Sequence, residues 1–162
     1  MKKHILGISF VLVVTFISFI SVSVAKAEEF HWGFKPSRNG APVEIGEPLE
    51  SMLSKYGAIY KGNEEKKIVY LTFDNGYENG YTESILNTLR EEKAPATFFL
   101  TGHYLTSATD LVKTMVKDGH IIGNHSYGHP NMARLSADEM KKEWKQFDDK
   151  LNELTGVKRT YY

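Results

Sequence analysis

The sequence predicts an α/β fold built on a parallel sheet. Three observations carry that prediction. From Lys67 onward, short apolar runs alternate with stretches of helical periodicity, the signature of β-α-β units with right-handed crossovers. The runs KIVYLTF, ATFFL and HIIGN show too little alternation to keep one face in water, as strands of a parallel sheet covered by helices should. The residues able to do chemistry follow directly after these runs, at the strand ends where such sheets gather function.

The elements follow in order. Met1-Lys2-Lys3-His4 is basic, Ile5 to Val24 carries no charge, and Ala25-Lys26-Ala27 offers small residues for cleavage after Ala27. Residues 1–27 therefore read as a secretory signal peptide. The apolar run is long enough that an uncleaved anchor is the rival reading. Either way the remainder is expected outside the cytoplasm.

Residues 28–66 read as an irregular lead-in punctuated by Gly, Pro and Asn, with a short helix around Leu49 to Lys55. Trp32, Phe34, Tyr56 and Tyr60 are expected to fasten it to the domain. Residues 67–162 form the domain proper. A strand over Lys67–Phe73 leads to a helix from Tyr81 to Glu92, with Ile85, Leu86 and Leu89 on one face. Ala94-Pro95 ends that helix. Ala96–Leu100 is the second strand. A helix over Ala108–Lys117 turns Leu111, Val112, Met115 and Val116 inward and closes at Gly119. His120–Asn124 is the third strand.

Ser136 and Glu139 form a capping box that opens the longest helix, which stops at Gly156. Met140, Trp144, Phe147, Leu151 and Leu154 recur at spacings of four and three, so that stripe is core. Val157–Tyr162 begins a fourth strand.

Composition excludes several partners. Lys2, Lys3 and Lys26 leave with the signal, so 17 basic residues face 20 acidic ones. Nucleic acid, which wants clustered positive charge, is not an expected partner. Membrane contact is expected only through an uncleaved signal segment, and a monomer is expected. The chain has no cysteine, so a metal site must use His, Asp, Glu or water.

The candidate site gathers from three strand ends. Asp74 and Asn75 close the first, in LTFDNGYENG. Thr101, Gly102 and His103 close the second, and His125 and His129 follow the third, in HSYGHPN. Two imidazoles four apart can share a divalent cation when the segment turns tightly. Taken by itself this is a weak signal, and it is not the zinc-protease HExxH, because Ser126 stands where that motif has its glutamate. His103 reads as a loop or substrate-side residue, and His31 and His120 as structural.

These residues resemble the polysaccharide deacetylases, carbohydrate esterases of the NodB-homology type. TFDNG is similar to that family's first motif, usually TFDDG, and HSYGH to its second, H-S/T-x-x-H. WGF, YLTFDNGYENGYT and TGH are similar to the branch that deacetylates peptidoglycan N-acetylmuramic acid on the way to the muramic δ-lactam of spore cortex. The resemblance covers roughly Trp32 to Tyr162. It implies the N-terminal part of a distorted (β/α) barrel, with the irregular lead-in before it.

The resemblance also implies roles. Asp74 is the general base. His125 and His129 hold a divalent cation, zinc or similar; Asn75, standing where most members have aspartate, either joins them through its amide oxygen or positions Asp74. Tyr77, His103 and Tyr127 line the substrate, and the partner is a peptidoglycan glycan strand. Family members continue with an Arg-Pro-Pro motif and a later general-acid histidine, so a chain ending at KRTYY is expected to be an impaired fragment. Two other readings stay open. One is a non-catalytic wall-binding module using Trp32, Tyr77, Tyr81 and Tyr127. The other is a deacetylase of chitooligosaccharide or xylan.

Overall fold

The computed structural model describes residues 33–158 and Tyr161. The signal reading for residues 1–27, His31 and Trp32 lie outside the described residues. Three strands form one parallel sheet in the order β1 (Thr72–Asn75), β2 (Thr97–Leu100) and β3 (Ile121–Asn124). The α/β expectation holds, and the register brings Asn75, Leu100 and Asn124 level at the carboxyl end.

Helices α2 (Thr82–Glu91), α3 (Gly102–Ser107), α4 (Thr109–Lys117) and α5 (Ala137–Thr155) supply the cover. The core joins Leu86 and Leu89 of α2, Phe98 and Leu100 of β2, and Tyr104 and Leu105 of α3. Val112 and Met115 of α4, Ile122 of β3, and Phe147 and Leu151 of α5 complete it. Phe73 stacks on Phe98 with ring centroids 4.9 Å apart, so β1 and β2 present these rings to the same face. Strand alternation then sends Asp74 and Phe99 to the opposite face. There Gly123 lies under the Phe99 ring, so close that any Cβ would collide with it.

Local chemistry explains the longest helix. The Ser136 hydroxyl accepts the Glu139 N–H, and the Glu139 carboxylate accepts the Ser136 N–H at 2.8 Å, completing the expected capping box. Gly156 ends α5 in the left-handed conformation at φ 70°, which glycine adopts without a Cβ penalty.

Three expectations need correction. The run from Lys67 is not a buried strand throughout. The strand begins at Thr72, and Val69 and Tyr70 are 83% and 67% exposed. β1 is an edge of the described sheet, so apolar character there marks a face that these residues leave open. The segment after β2 is not a loop, because Thr101 caps α3 by accepting the Tyr104 N–H. In the lead-in, α1 (Leu49–Lys55) forms as expected, but Phe34 and Tyr56 stand exposed rather than packed. Tyr60 instead hydrogen-bonds Glu50 of α1. The expected fourth strand is represented by one parallel bridge, Gly123 to Tyr161, with Tyr161 O accepting the Asn124 N–H at 2.9 Å. Residues 159, 160 and 162 lie outside the described residues.

Candidate active site

Backbone hydrogen bonds tie the three strand ends into one rim. Thr101 N–H donates to Asn75 O at 3.2 Å, and His125 N–H donates to Leu100 O at 2.9 Å. Thr101 Oγ1 also donates to Gly76 O at 3.2 Å. The turn after β1 is thereby pinned to β2, and the histidine loop continues the ladder from β3.

His125 and His129 turn toward each other. Their Nε2 atoms lie 3.1 Å apart and their ring centroids 4.8 Å apart. The loop reaches this geometry through two left-handed residues, Ser126 at φ 63° and His129 at φ 52°. Such conformations cost non-glycine residues about 1–3 kcal/mol and persist where surroundings enforce them. The enforcement is visible. Gly102 N–H donates to Tyr127 O at 3.0 Å and to Ser126 O at 3.3 Å, and Gly128 N–H donates to Glu143 Oε2 at 2.6 Å. Asn124 Oδ1 accepts the Ser126 N–H, while Asn124 Nδ2 donates to Trp144 O and Asp148 Oδ1 of α5.

Asp74 is exposed on β1, and Asn75 beside it is half-buried. Asn75 Oδ1 is buried and has no hydrogen-bond partner. Among the described residues, no group of three or more His, Cys, Asp or Glu side chains converges to hold a metal ion. The donor types this rim offers are two converging imidazole nitrogens and, on Asn75, an amide oxygen left without a partner. Two nitrogens and one oxygen suit zinc or a similar borderline ion.

Tyr77 and His103 meet as a tilted ring pair 4.8 Å apart, with Tyr77 exposed to solvent. Tyr127 packs over Gly102 against the core. Two surface hollows, of about 320 and 370 Å³, lie elsewhere, beside Asp148 to Asn152 and beside Arg90, Asp118 and His120.

Sequence reasoning missed a buried network beneath the rim. Tyr104, fully buried, donates its hydroxyl to Glu78 Oε2 at 2.6 Å and lies 3.0 Å from Thr82 Oγ1. Glu78 Oε1 accepts the Gly80 N–H at 2.6 Å. Burial pushes the Glu78 carboxyl up, but bonds from Thr82, Tyr104 and Gly80 overcome it and bring the pKa down to about 2. Burial, then the bond to Glu78, pushes the Tyr104 hydroxyl well above its usual range. The Glu78 carboxylate followed by an N–H-rich turn was the readable signal; its partner Tyr104, across the sheet, was not.

This fold and this rim define a class: an α/β scaffold with a His pair, an amide and a carboxylate at parallel strand ends. The sequence pattern of the polysaccharide deacetylase family matches residues 61–162. The chain belongs to that family. It is 52% identical over 152 residues to a 30.6 kDa protein of Geobacillus stearothermophilus, covering 93% of this chain and 57% of the relative. It is 43% identical over 135 residues to the peptidoglycan-N-acetylmuramic acid deacetylase PdaA of Bacillus subtilis, covering 83% of this chain and 51% of that protein. The solved structure of PdaA, a family 4 carbohydrate esterase, superposes with a TM-score of 0.79 over 82% of this chain and 57% of that one. The chain spans about half the length of the curated relatives it matches.

Proposed function

We propose that these residues form the metal and base side of a peptidoglycan deacetylase site that removes the acetyl group from N-acetylmuramic acid, a step toward muramic δ-lactam. The observation that carries this reading is the convergence of His125 and His129 Nε2 at 3.1 Å on the rim that Asp74 and Asn75 close. Family membership and the likeness to a muramic acid deacetylase support it.

His125, His129 and Asn75 would hold a divalent cation. A cation so held supplies Lewis acidity, which makes water a stronger nucleophile at neutral pH and polarises an acyl oxygen. Asp74 takes the proton from the attacking water, which adds to the acetamide carbon. The C–N bond then breaks, acetate departs, and a protonated amine remains on the sugar. Tyr77 and His103 offer a ring face for a pyranose, and Tyr127 sits beside the histidines it helps place.

The substrate is a polymer of the cell wall, which agrees with an extracytoplasmic setting and with a signal peptide over residues 1–27. Among the described residues, no helix is long and apolar enough to cross a membrane.

The test is acetate release from peptidoglycan glycan strands with and without added Zn2+. Release that depends on Zn2+, with deacetylated muramic acid or its lactam among the products, is the expected result. Glucosamine or deacetylated xylose as the product would point to chitooligosaccharide or xylan instead. Glycan binding without acetate release, unchanged by Asp74→Ala, would identify a binding module and overturn the reading.

A further inference from the structure

The pairing of β1 with β2 does not stop where the strands stop. The last register pair is Asn75 with Leu100. Beyond it, the turn after β1 goes on meeting the start of α3, side chain by side chain. Thr101 Oγ1 donates to Gly76 O at 3.2 Å, the Tyr77 and His103 rings lie 4.8 Å apart, and the Tyr104 hydroxyl donates to Glu78 Oε2 at 2.6 Å. The last two rungs of this ladder differ in setting. Tyr77 and His103 stand in solvent, whereas the rung beside them ends on Tyr104, which is fully buried.

We propose that Glu78 and Tyr104 are positioning residues whose hydrogen bond holds Tyr77 against His103 as a preformed platform, on which a pyranose of a peptidoglycan glycan strand stacks. This role rests on the reading of the rim as a peptidoglycan deacetylase site and adds what fixes its substrate side.

Tyr77 has little packing of its own to hold it, being 78% exposed. It sits in a turn between Gly76 and Gly80, the latter at φ 83°. A ring free to swing on such a turn loses that freedom when a sugar binds, and the cost comes out of the affinity. A ring already held avoids it. The hold lies one residue further on. Both oxygens of Glu78 are engaged, Oε2 by the Tyr104 hydroxyl and Oε1 by the Gly80 N–H at 2.6 Å. Bonds to an ionised carboxylate are the strong kind. Tyr104 cannot follow a moving loop, because its ring belongs to the core. It is the neighbour of His103 on α3, as Glu78 is the neighbour of Tyr77 on the turn. One buried bond therefore sets the separation of the exposed ring pair.

The pair suits a sugar. Its planes are inclined at 52°, so His103 braces Tyr77 without lying flat over it. A pyranose has a face of C–H groups that an aromatic face shields from water. A plain structural role for Glu78, closing the turn that leads into α2, would support the fold and leave sugar affinity alone. The two roles predict different measurements.

The experiment is calorimetric binding of peptide-free glycan strands, alternating N-acetylglucosamine and N-acetylmuramic acid, to the purified full chain. The variants are Tyr77→Ala, Tyr104→Phe, Glu78→Ala and the two doubles that combine Tyr77→Ala with each of the others. Tyr104→Phe and Glu78→Ala break the same bond from its two ends, so each covers for the other if one folds poorly. Each should weaken binding by about 2- to 10-fold, the worth of one well-oriented ring contact. In the Tyr77→Ala background neither should weaken it further, because the residue they act through is gone.

A ligand-free readout accompanies these. In Tyr104→Phe and Glu78→Ala the His103 ring resonances should move toward their positions in Tyr77→Ala, where the neighbouring ring is missing. Wild-type glycan affinity in both variants, or equal weakening in the wild-type and Tyr77→Ala backgrounds, overturns the inference. Unmoved His103 resonances overturn it as well. A lowered melting temperature with unchanged affinity identifies a structural turn only and also overturns it. In each of these cases the functional reading stands as long as the wild type binds the strands and releases acetate. A wild type that does neither sinks that reading, and this role with it.

Discussion

Asn124 Oδ1 accepts the Ser126 N–H at 2.9 Å, two residues further along the chain. The same side chain donates to Trp144 O and Asp148 Oδ1, so one buried amide ties β3, the histidine loop and α5 together. Ser126 lies at φ 63°, a conformation this bond helps enforce. Asn124→Ala should cost about 2–3 kcal/mol, since it strands buried donors and acceptors. Urea unfolding measures that loss, and Zn2+ titration should show weaker binding as His125 and His129 drift apart. Wild-type stability in this variant would mean that the loop is held by other contacts.

Gly102 gives a prediction whose sign depends on which effect wins. It opens α3, where helix propensity favours alanine by up to about 1 kcal/mol. A Cβ there would run into the Tyr127 ring, however. Overpacking of this kind costs about 1–3 kcal/mol. Because Gly102 N–H holds the Ser126 and Tyr127 carbonyls, the ring cannot retreat without pulling on the histidine loop. Gly102→Ala should therefore lower the melting temperature. A rise would show that Tyr127 moves freely, and would remove it from the structured rim.

His120 supplies a pH dependence. It is buried, its Nδ1 accepts the Ala96 N–H at 3.2 Å, and burial pushes its pKa below the ordinary 6.5. The unfolded chain takes up a proton near pH 6.5, whereas the folded imidazole resists until a lower pH. Below pH 6.5 the unfolded state binds more protons, so stability falls as pH falls through the window between the two values. His120→Asn keeps an acceptor at the Nδ1 position and removes the titration. Its stability should vary less than that of the wild type between pH 7 and pH 5 in denaturant titrations. Parallel pH curves for the two proteins would exclude this linkage.

Much of this architecture was legible because it is written locally. Ser136 and Glu139 specify a cap three residues apart, Gly156 specifies a stop, and the stripe through Phe147 and Leu151 specifies a buried face. His125 and His129 could be paired because their spacing is short, and the loop's bend brings the rings together. Tyr104 and Glu78, 26 residues apart, could not be paired, because only the sheet register makes them neighbours. The run Ile68–Leu71 misled for the opposite reason. Its composition reports burial in some partner, but β1 is an edge among the described strands, so local pattern overstated the strand. Phe34 and Tyr56 misled in the same way, as aromatic rings without a surface to cover them among the described residues.

The neighbours Asp74 and Asn75 should be separable by experiment. Strand alternation sends their side chains to opposite faces, and no third carboxylate or imidazole joins His125 and His129 among the described residues. In the proposed reaction, Asp74 moves a proton and Asn75 offers an oxygen to the cation. Asp74→Asn should then lower acetate release from glycan strands by about 10²–10⁴-fold, the usual contribution of a general base. It should leave Zn2+ affinity unchanged. Asn75→Asp should do the converse for binding, tightening Zn2+ because a full negative charge replaces a dipole beside the cation. Acetate release and calorimetric Zn2+ affinity in Asp74→Asn, with the affinity in Asn75→Asp, give three values that the division of labour fixes. A loss of Zn2+ binding in Asp74→Asn would place that carboxylate among the ligands and leave the base unassigned.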